Sequence, residues 1–212
     1  MTSQAGSPPL SFGVAILAAG ASTRMGQAKM LLPWGSTSIM GHLIEQWQRL
    51  PAKQIAVVCA KSDHALQAEL ERIGCSPKER IINSSPQLGM FSSIRCAAGW
   101  PGWNLDLTHW VIALGDQPHL QLVTLRALID FGAAHPQQIC QPIRLGHPRH
   151  PILFPERAWR RLRTAGQEDL KQFLHAMSAE RGFCEINDPG LDLDIDRPLD
   201  YQEARKVFLS AS

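Results

Sequence analysis

The chain has 212 residues, 44% hydrophobic and 19% charged, with a formal net charge of +2. That length suits one α/β domain with a sizeable core, and so small a net charge excludes the strong field of a nucleic-acid or membrane-surface binder. The apolar run nearest the N-terminus is too short to cross a bilayer, and the five cysteines (Cys59, Cys75, Cys96, Cys140, Cys184) are scattered without a C-x-x-C pair. This is the thiol usage of a reduced, cytoplasmic protein.

Residues 1–10 (MTSQAGSPPL) are polar and proline-rich and are expected as a disordered tail, with a single domain over 11–212. Gly13–Leu17 has the composition of a strand buried on both faces. Ser36–Leu50 carries helical periodicity through Ile39, Leu43, Ile44 and Trp47, and Pro51 stops it. Ile55–Ala60 reads as a second buried strand, followed by a helix capped by Asp63 and ended by Gly74. Arg80–Asn83 is a short strand; a loop and helix fill Ser84–Trp100, and Thr108–Leu114 is a strand. A helix over Gln121–Ala134 and a strand over Gln138–Pro142 follow. Pro142, Pro148, Pro151 and Pro155 then interrupt any long element. Helices are predicted over Glu156–Arg163 and Glu168–Ala176, strands over Phe183–Ile186 and Leu193–Ile195, and a closing helix over Pro198–Leu209. Strands alternating with amphipathic helices predict a mostly parallel sheet covered on both faces.

The segment Leu17–Lys29, LAAGASTRMGQAK, follows the first strand. Small residues there let backbone N–H groups approach an anion, while Arg24 can fork onto phosphate oxygens and Lys29 adds a point charge. The combination describes a cradle for a triphosphate. It is not a Walker A loop, since Gly20 and Gly26 are separated by five residues and Gln27 follows the second glycine. Nor is it a dinucleotide fingerprint, because Ser22 stands where the second glycine belongs.

Asp116, in Gly115-Asp116-Gln117-Pro118, comes directly after a buried strand, where open α/β sheets place their ligands. A carboxylate there can hold Mg²⁺, which prefers oxygen ligands and bridges to phosphates. Asp196 is a candidate second carboxylate; Asp194 or Asp196 can equally cap the last helix. Gly89, before a helix whose first turn carries Ser92 and Ser93, offers a site of free N–H groups and hydroxyls. His147 and His150 cannot align as a helical metal pair, because prolines intervene.

The first segment, extended through Leu31-Leu32-Pro33, resembles the LAAGxSxRMGxxKxLLP signature of the MobA-like nucleotidyltransferases, a family that includes molybdopterin cytidylyl- and guanylyltransferases. GDQP resembles that family's metal-binding motif as found in its cytidylyltransferase branch, and LAAG also resembles that branch more than the guanylyl one. Asn83–Ile94 is similar to the N-x-x-x-x-x-GMxxS segment that contacts base and ribose. DIDRPLDY at 194–201 is similar to DIDTPEDY, and HPRHPILF at 147–154 to RGHPVLF, which faces the second substrate. Arg149 replaces a glycine of the last motif, and Gly166–Lys171 departs from Gly-Asp-x-Gly-Ala-Arg.

The resemblance implies a Rossmann-like three-layer α/β/α fold with a mostly parallel sheet, its nucleotide half at about 11–120 and its acceptor half at about 121–212. It implies catalytic roles for Lys29, Arg24 and Asp116, with Asp116 and Asp196 holding Mg²⁺. The nucleotide would be bound by Leu17, Ala18, Ala19, Gly20, Ser22, Thr23, Arg24 and Lys29, then by Asn83, Gly89, Ser92 and Gly115; the acceptor would meet Arg149 and His150. The expected reaction transfers CMP from CTP to molybdopterin and releases pyrophosphate. A sugar phosphate or other small phosphorylated acceptor, GTP as donor, and a non-catalytic nucleotide-binding module are the alternatives. A monomer is expected, with a molybdoenzyme or its chaperone as the protein partner, and neither nucleic acid nor membrane.

Overall fold

The structure is a computed structural model and describes residues 10–20 and 25–211. Its centre is a sheet built from β1 (Phe12–Leu17), β4 (Gln54–Ala60), β5 (Arg80–Asn83), β6 (His109–Leu114), β7 (Ile139–Arg144), β9 (Ile152–Pro155) and β10 (Arg181–Glu185). Spatial order is β10-β7-β9-β6-β1-β4-β5, and the two-residue β8 (His147–Pro148) pairs with β7. The β1, β4, β5 and β6 ladders are parallel, as is β10 with β7.

Alternation along these strands explains the layers. Val14 and Ile16 of β1 enter one core, with Val57, Cys59, Val111 and Ala113, whereas Ala15 and Leu17 enter the other, with Val58 and Ile112. A strand apolar on both sides has two cores to fill, so helices must cover both faces. On the first face lie α1 (Ile39–Gln48), α2 (His64–Arg72), α4 (Leu122–Ala134) and α7 (Pro198–Ala211), contributing among others Leu43, Leu66, Leu125 and Ala204. On the second lie α3 (Met90–Gly99), α5 (Glu156–Arg163) and α6 (Leu170–Ala176), contributing Ile94, Trp159 and Phe173. Trp159 stacks on Trp110 with ring centroids 5.4 Å apart, so α5 is pinned to β6 by aromatic area. The architecture is three-layer α/β/α. No helix among the described residues is long and apolar enough to cross a membrane.

Three expectations need correction. Ser36–Leu50 is not helical throughout: β2 (Pro33–Trp34) and β3 (Thr37–Ser38) form an antiparallel hairpin, and α1 begins at Ile39, capped by the Ser38 hydroxyl accepting from Gly41 N–H. Turn chemistry around Gly35, at φ +59°, overrides the helical periodicity. Residues 193–195 form no strand; the chain makes a 3₁₀ turn at Pro189–Asp192, and the Ile195 N–H bonds the Asp116 carbonyl at 3.1 Å. The proline-rich stretch, in which no strand was expected, contains the short β9, which runs antiparallel between β6 and β7. Pro151 and Pro155 bracket this strand and leave Ile152, Leu153 and Phe154 free to pair and to bury. Residues 1–9, expected as a tail, lie outside the described residues.

Candidate active site

A cleft of about 390 Å³ opens at the carboxyl ends of β1 and β6, lined by Leu17–Gly20 on one side and Leu114–Asp116 on the other. The two exits are joined by a hydrogen bond from Gly115 N–H to the Leu17 carbonyl at 3.0 Å. A Cβ on Gly115 would lie 2.8 Å from that same oxygen and 2.9 Å from Met30 Sδ, so no other residue passes here without displacement. Asp116 therefore leaves the sheet beside the small-residue loop.

Lys29 sits on a 3₁₀ turn, Lys29–Leu31, and is only 7% exposed. Its Nζ lies 3.3 Å from Asp116 Oδ2 and 3.4 Å from Asp196 Oδ1. Asp196 arrives from the far end of the chain, held by the Ile195–Asp116 backbone bond described above. Asp200 then accepts from the N–H groups of Asp196 (3.0 Å) and Arg197 (2.7 Å), the backward half of a capping box at the start of α7. The capping carboxylate is thus Asp200. Asp194 instead accepts from Gln117 Nε2 at 2.9 Å, and Asp196 faces Lys29.

Burial pushes the Asp116 carboxyl above its ordinary pKa; the Lys29 ammonium pulls it down and the Asp194 charge adds to the rise. Asp116 Oδ1 is buried and has no hydrogen-bond partner among the described residues. A buried carboxylate oxygen with an unused lone pair, next to a second carboxylate, is a hard donor set that fits a magnesium-type cation. Among the described residues no cluster of three or more acidic, histidine or cysteine side chains occurs, so phosphate oxygens and water would complete such a shell.

The second wall is the start of α3. Gly89 has φ +85°, a conformation that favours glycine, and it turns the chain so that Met90 and Ser93 line the cleft. Asn83 is buried and donates to Ser92 Oγ (2.8 Å) and Ser93 Oγ (3.0 Å) while its oxygen accepts from Ser85 N–H. Ser92 donates to the Gly89 carbonyl of its own turn (2.8 Å) and to the Ser85 carbonyl of the preceding loop (3.2 Å). Asn83 and Ser92 therefore build the wall, and Ser93 presents to the cleft. Nothing in the sequence marked Met30 or Pro86 as lining residues, whereas Met90 and Ser93 lie in the Asn83–Ile94 segment already singled out there, without having been assigned to the nucleotide. Positions 90 and 93 share a helical face, which was the available signal.

Beside the cleft, and sharing Met90 with it, lies a larger cavity of about 860 Å³ between β7, β9 and α6. His150 lines it; Arg149, expected beside it, is instead held by Asp192, which also binds Arg144. The carboxylate at 192 captures the long guanidinium arm and draws it to the β7–β8 hairpin. Gln141, Lys171 and Arg181 also line this cavity, and sequence reasoning missed them. Ser22, Thr23 and Arg24 lie outside the described residues.

Comparison with known proteins accords with this geometry. A model of the MobA-like NTP transferase domain matches residues 14–181. The molybdenum cofactor cytidylyltransferase of Escherichia coli (strain K12) is 27% identical over 199 residues, which span 91% of this chain and 95% of that protein. Among solved structures, Rv0371c of Mycobacterium tuberculosis is 23% identical with a TM-score of 0.72, covering 94% of this chain and 100% of its own. A manganese complex of Rv0371c, 22% identical over 92% of this chain and 98% of its own, gives 0.68. A CMP:2-keto-3-deoxy-manno-octonic acid synthetase complexed with CTP is 11% identical, with a TM-score of 0.75 over 95% of this chain and 100% of that one. The structural likenesses establish the fold, and the domain match over most of the chain establishes more: this protein belongs to the MobA-like NTP transferase family and is a nucleotidyltransferase.

Proposed function

We propose that the protein transfers CMP from CTP to the terminal phosphate of molybdopterin, with a divalent cation, magnesium, held by Asp116 and Asp196. The observation that carries this reading is the meeting of Lys29, Asp116 and Asp196 at the mouth of the glycine-bearing loop. The E. coli relative, matched along nearly its whole length, supports the cytidine donor and the molybdopterin acceptor. The manganese complex of the structural neighbour supports a divalent cation.

In this reaction an acceptor phosphate oxygen attacks the α-phosphorus of the triphosphate, and pyrophosphate departs. The difficulty is bringing two anions together, so the protein's work is neutralisation and alignment rather than covalent chemistry. A bound cation would supply charge neutralisation at the α-phosphate. Lys29 delivers a fixed ammonium to the same place, and its burial between two carboxylates holds it there without water's screening. The backbone of Ala18–Gly20 and the first turn of α3 beyond Gly89 close on the nucleotide from opposite sides. Arg24 is assigned to the departing β- and γ-phosphates on its motif position. The larger cavity beside Met90 takes the body of the acceptor, with His150 in its wall.

Pyrophosphate release measured with CTP, GTP and ATP, each with magnesium and with molybdopterin or sugar phosphates, tests the proposal. Turnover with CTP and molybdopterin is expected. Turnover confined to GTP, or to a sugar phosphate, would replace the corresponding half of the proposal.

A further inference from the structure

Arg181 opens β10 and reaches into the larger cavity. Its Nη2 donates to Gln141 Oε1 at 2.8 Å, and its guanidinium carbon lies 4.5 Å from the centre of the Phe183 ring. Its Nε is buried and makes no hydrogen bond with any of the described residues. No carboxylate among the described residues pairs with it, whereas the other part-buried guanidiniums do have one: Arg80 with Glu71, and Arg144 and Arg149 with Asp192. The acidic residue of the same cavity, Asp169, spends an oxygen capping α6 through Gln172 N–H. Lys171, a second cation, lines the same wall.

A guanidinium partly withdrawn from water, with its Nε buried, and left without a counter-ion is costly unless an anion arrives to complete it. Burial lowers the proton affinity of Arg181, and no carboxylate raises it back. Gln141, itself buried on β7, fixes the fork by one N–H and leaves the remaining donors for a ligand. A planar fork with donors to spare matches a tetrahedral oxyanion.

We propose that the larger cavity contains an oxyanion subsite in which Arg181, oriented by Gln141, binds the phosphate monoester of the acceptor before transfer. This rests on the reading of that cavity as the acceptor side. Arg181 is then a specificity residue that selects phosphorylated acceptors.

The test is calorimetric titration of inorganic phosphate into the full chain already saturated with CTP and magnesium, so that the nucleotide cleft is filled. The parent should bind phosphate. Arg181→Gln should weaken it by roughly tenfold or more, the worth of charge-assisted hydrogen bonds, and Arg181→Lys should fall between the two. Both variants should keep the parent's affinity for CTP, and Arg181→Gln should melt no lower than the parent, since it removes a part-buried charge that no carboxylate among the described residues compensates. Unchanged phosphate affinity in Arg181→Gln, or no phosphate binding by the CTP-loaded parent, overturns the subsite. A parent that binds no CTP would instead overturn the functional reading on which it rests.

Discussion

Lys29 stands between two carboxylates that are 87 and 167 positions away in the chain, Asp116 and Asp196, and touches both within 3.4 Å. One short 3₁₀ turn, one strand exit and one returning C-terminal segment must all be in place before this arrangement exists.

Removing the ammonium should therefore affect both activity and assembly. Lys29→Ala is expected to lower the rate of pyrophosphate release by roughly 10²–10³, as deletion of a preorganised charge does elsewhere. It also removes the ammonium that Asp116 and Asp196 share, so its melting temperature should rise on adding magnesium by more than the parent's does. Differential scanning fluorimetry with and without the metal reads this directly.

Asp116→Asn should separate activity from stability. Because burial raises the pKa of Asp116 in the folded chain above its unfolded value, the folded state holds that proton more tightly. Its contribution is then most favourable below the ordinary carboxylate pKa and is lost as pH rises through the folded value. At neutral pH the ionised group is a burden, so the asparagine variant should melt higher than the parent while turnover collapses. The gain in melting temperature should vanish in acid. A variant equally destabilised at every pH would show that Asp116 serves the fold instead.

His150 predicts an acid limit. Burial lowers its pKa to about 4, well below the ordinary histidine value of 6.5, while the Asp194 charge and the Ile112 backbone oppose that shift. The unfolded chain therefore binds a proton over this window that the folded chain refuses. The stability is present above pH 6.5 and is lost as pH falls toward 4, by about 3 kcal/mol at ~1.4 kcal/mol per pH unit. Urea unfolding followed between pH 7 and pH 4 should show this slope, reduced in a His150→Gln variant.

Gly115→Ala should be damaging out of proportion to one methyl group. The new Cβ would meet the Leu17 carbonyl and Met30 Sδ, and the carbonyl cannot move without opening the β1–β6 exit. A loss of about 1–3 kcal/mol is expected, together with a weaker response to CTP in a thermal-shift assay.

Much of this molecule was legible beforehand because its signals are local. Strands such as Val14–Leu17 and Val111–Leu114 are apolar on both faces, and Asp63 caps its helix through a side-chain bond three residues on. Gly115-Asp116 announced a strand exit bearing a carboxylate. What stayed hidden depends on partners far away in sequence. Nothing around Asp200 says that it, and not Asp196, closes the last helix. Arg149 was placed with its neighbour His150, yet Asp192 holds it elsewhere. Arg181 drew no notice because an arginine at the head of a strand is unremarkable until the missing counter-ion is seen in space. The antiparallel β9 was obscured by its flanking prolines, which end a helix but merely frame a strand of this length.

The reversed strand β9, lying between β6 and β7, has an evolutionary consequence. It stitches the portion of the protein proposed to meet the acceptor into the same sheet as the portion proposed to meet the triphosphate, by ladders on both of its edges. Neither portion can be exchanged for a foreign module by simple recombination without tearing that sheet. On the proposed assignment of the larger cavity, descendants that adopt a new acceptor do so by altering side chains on β7, α6 and the hairpin, one substitution at a time.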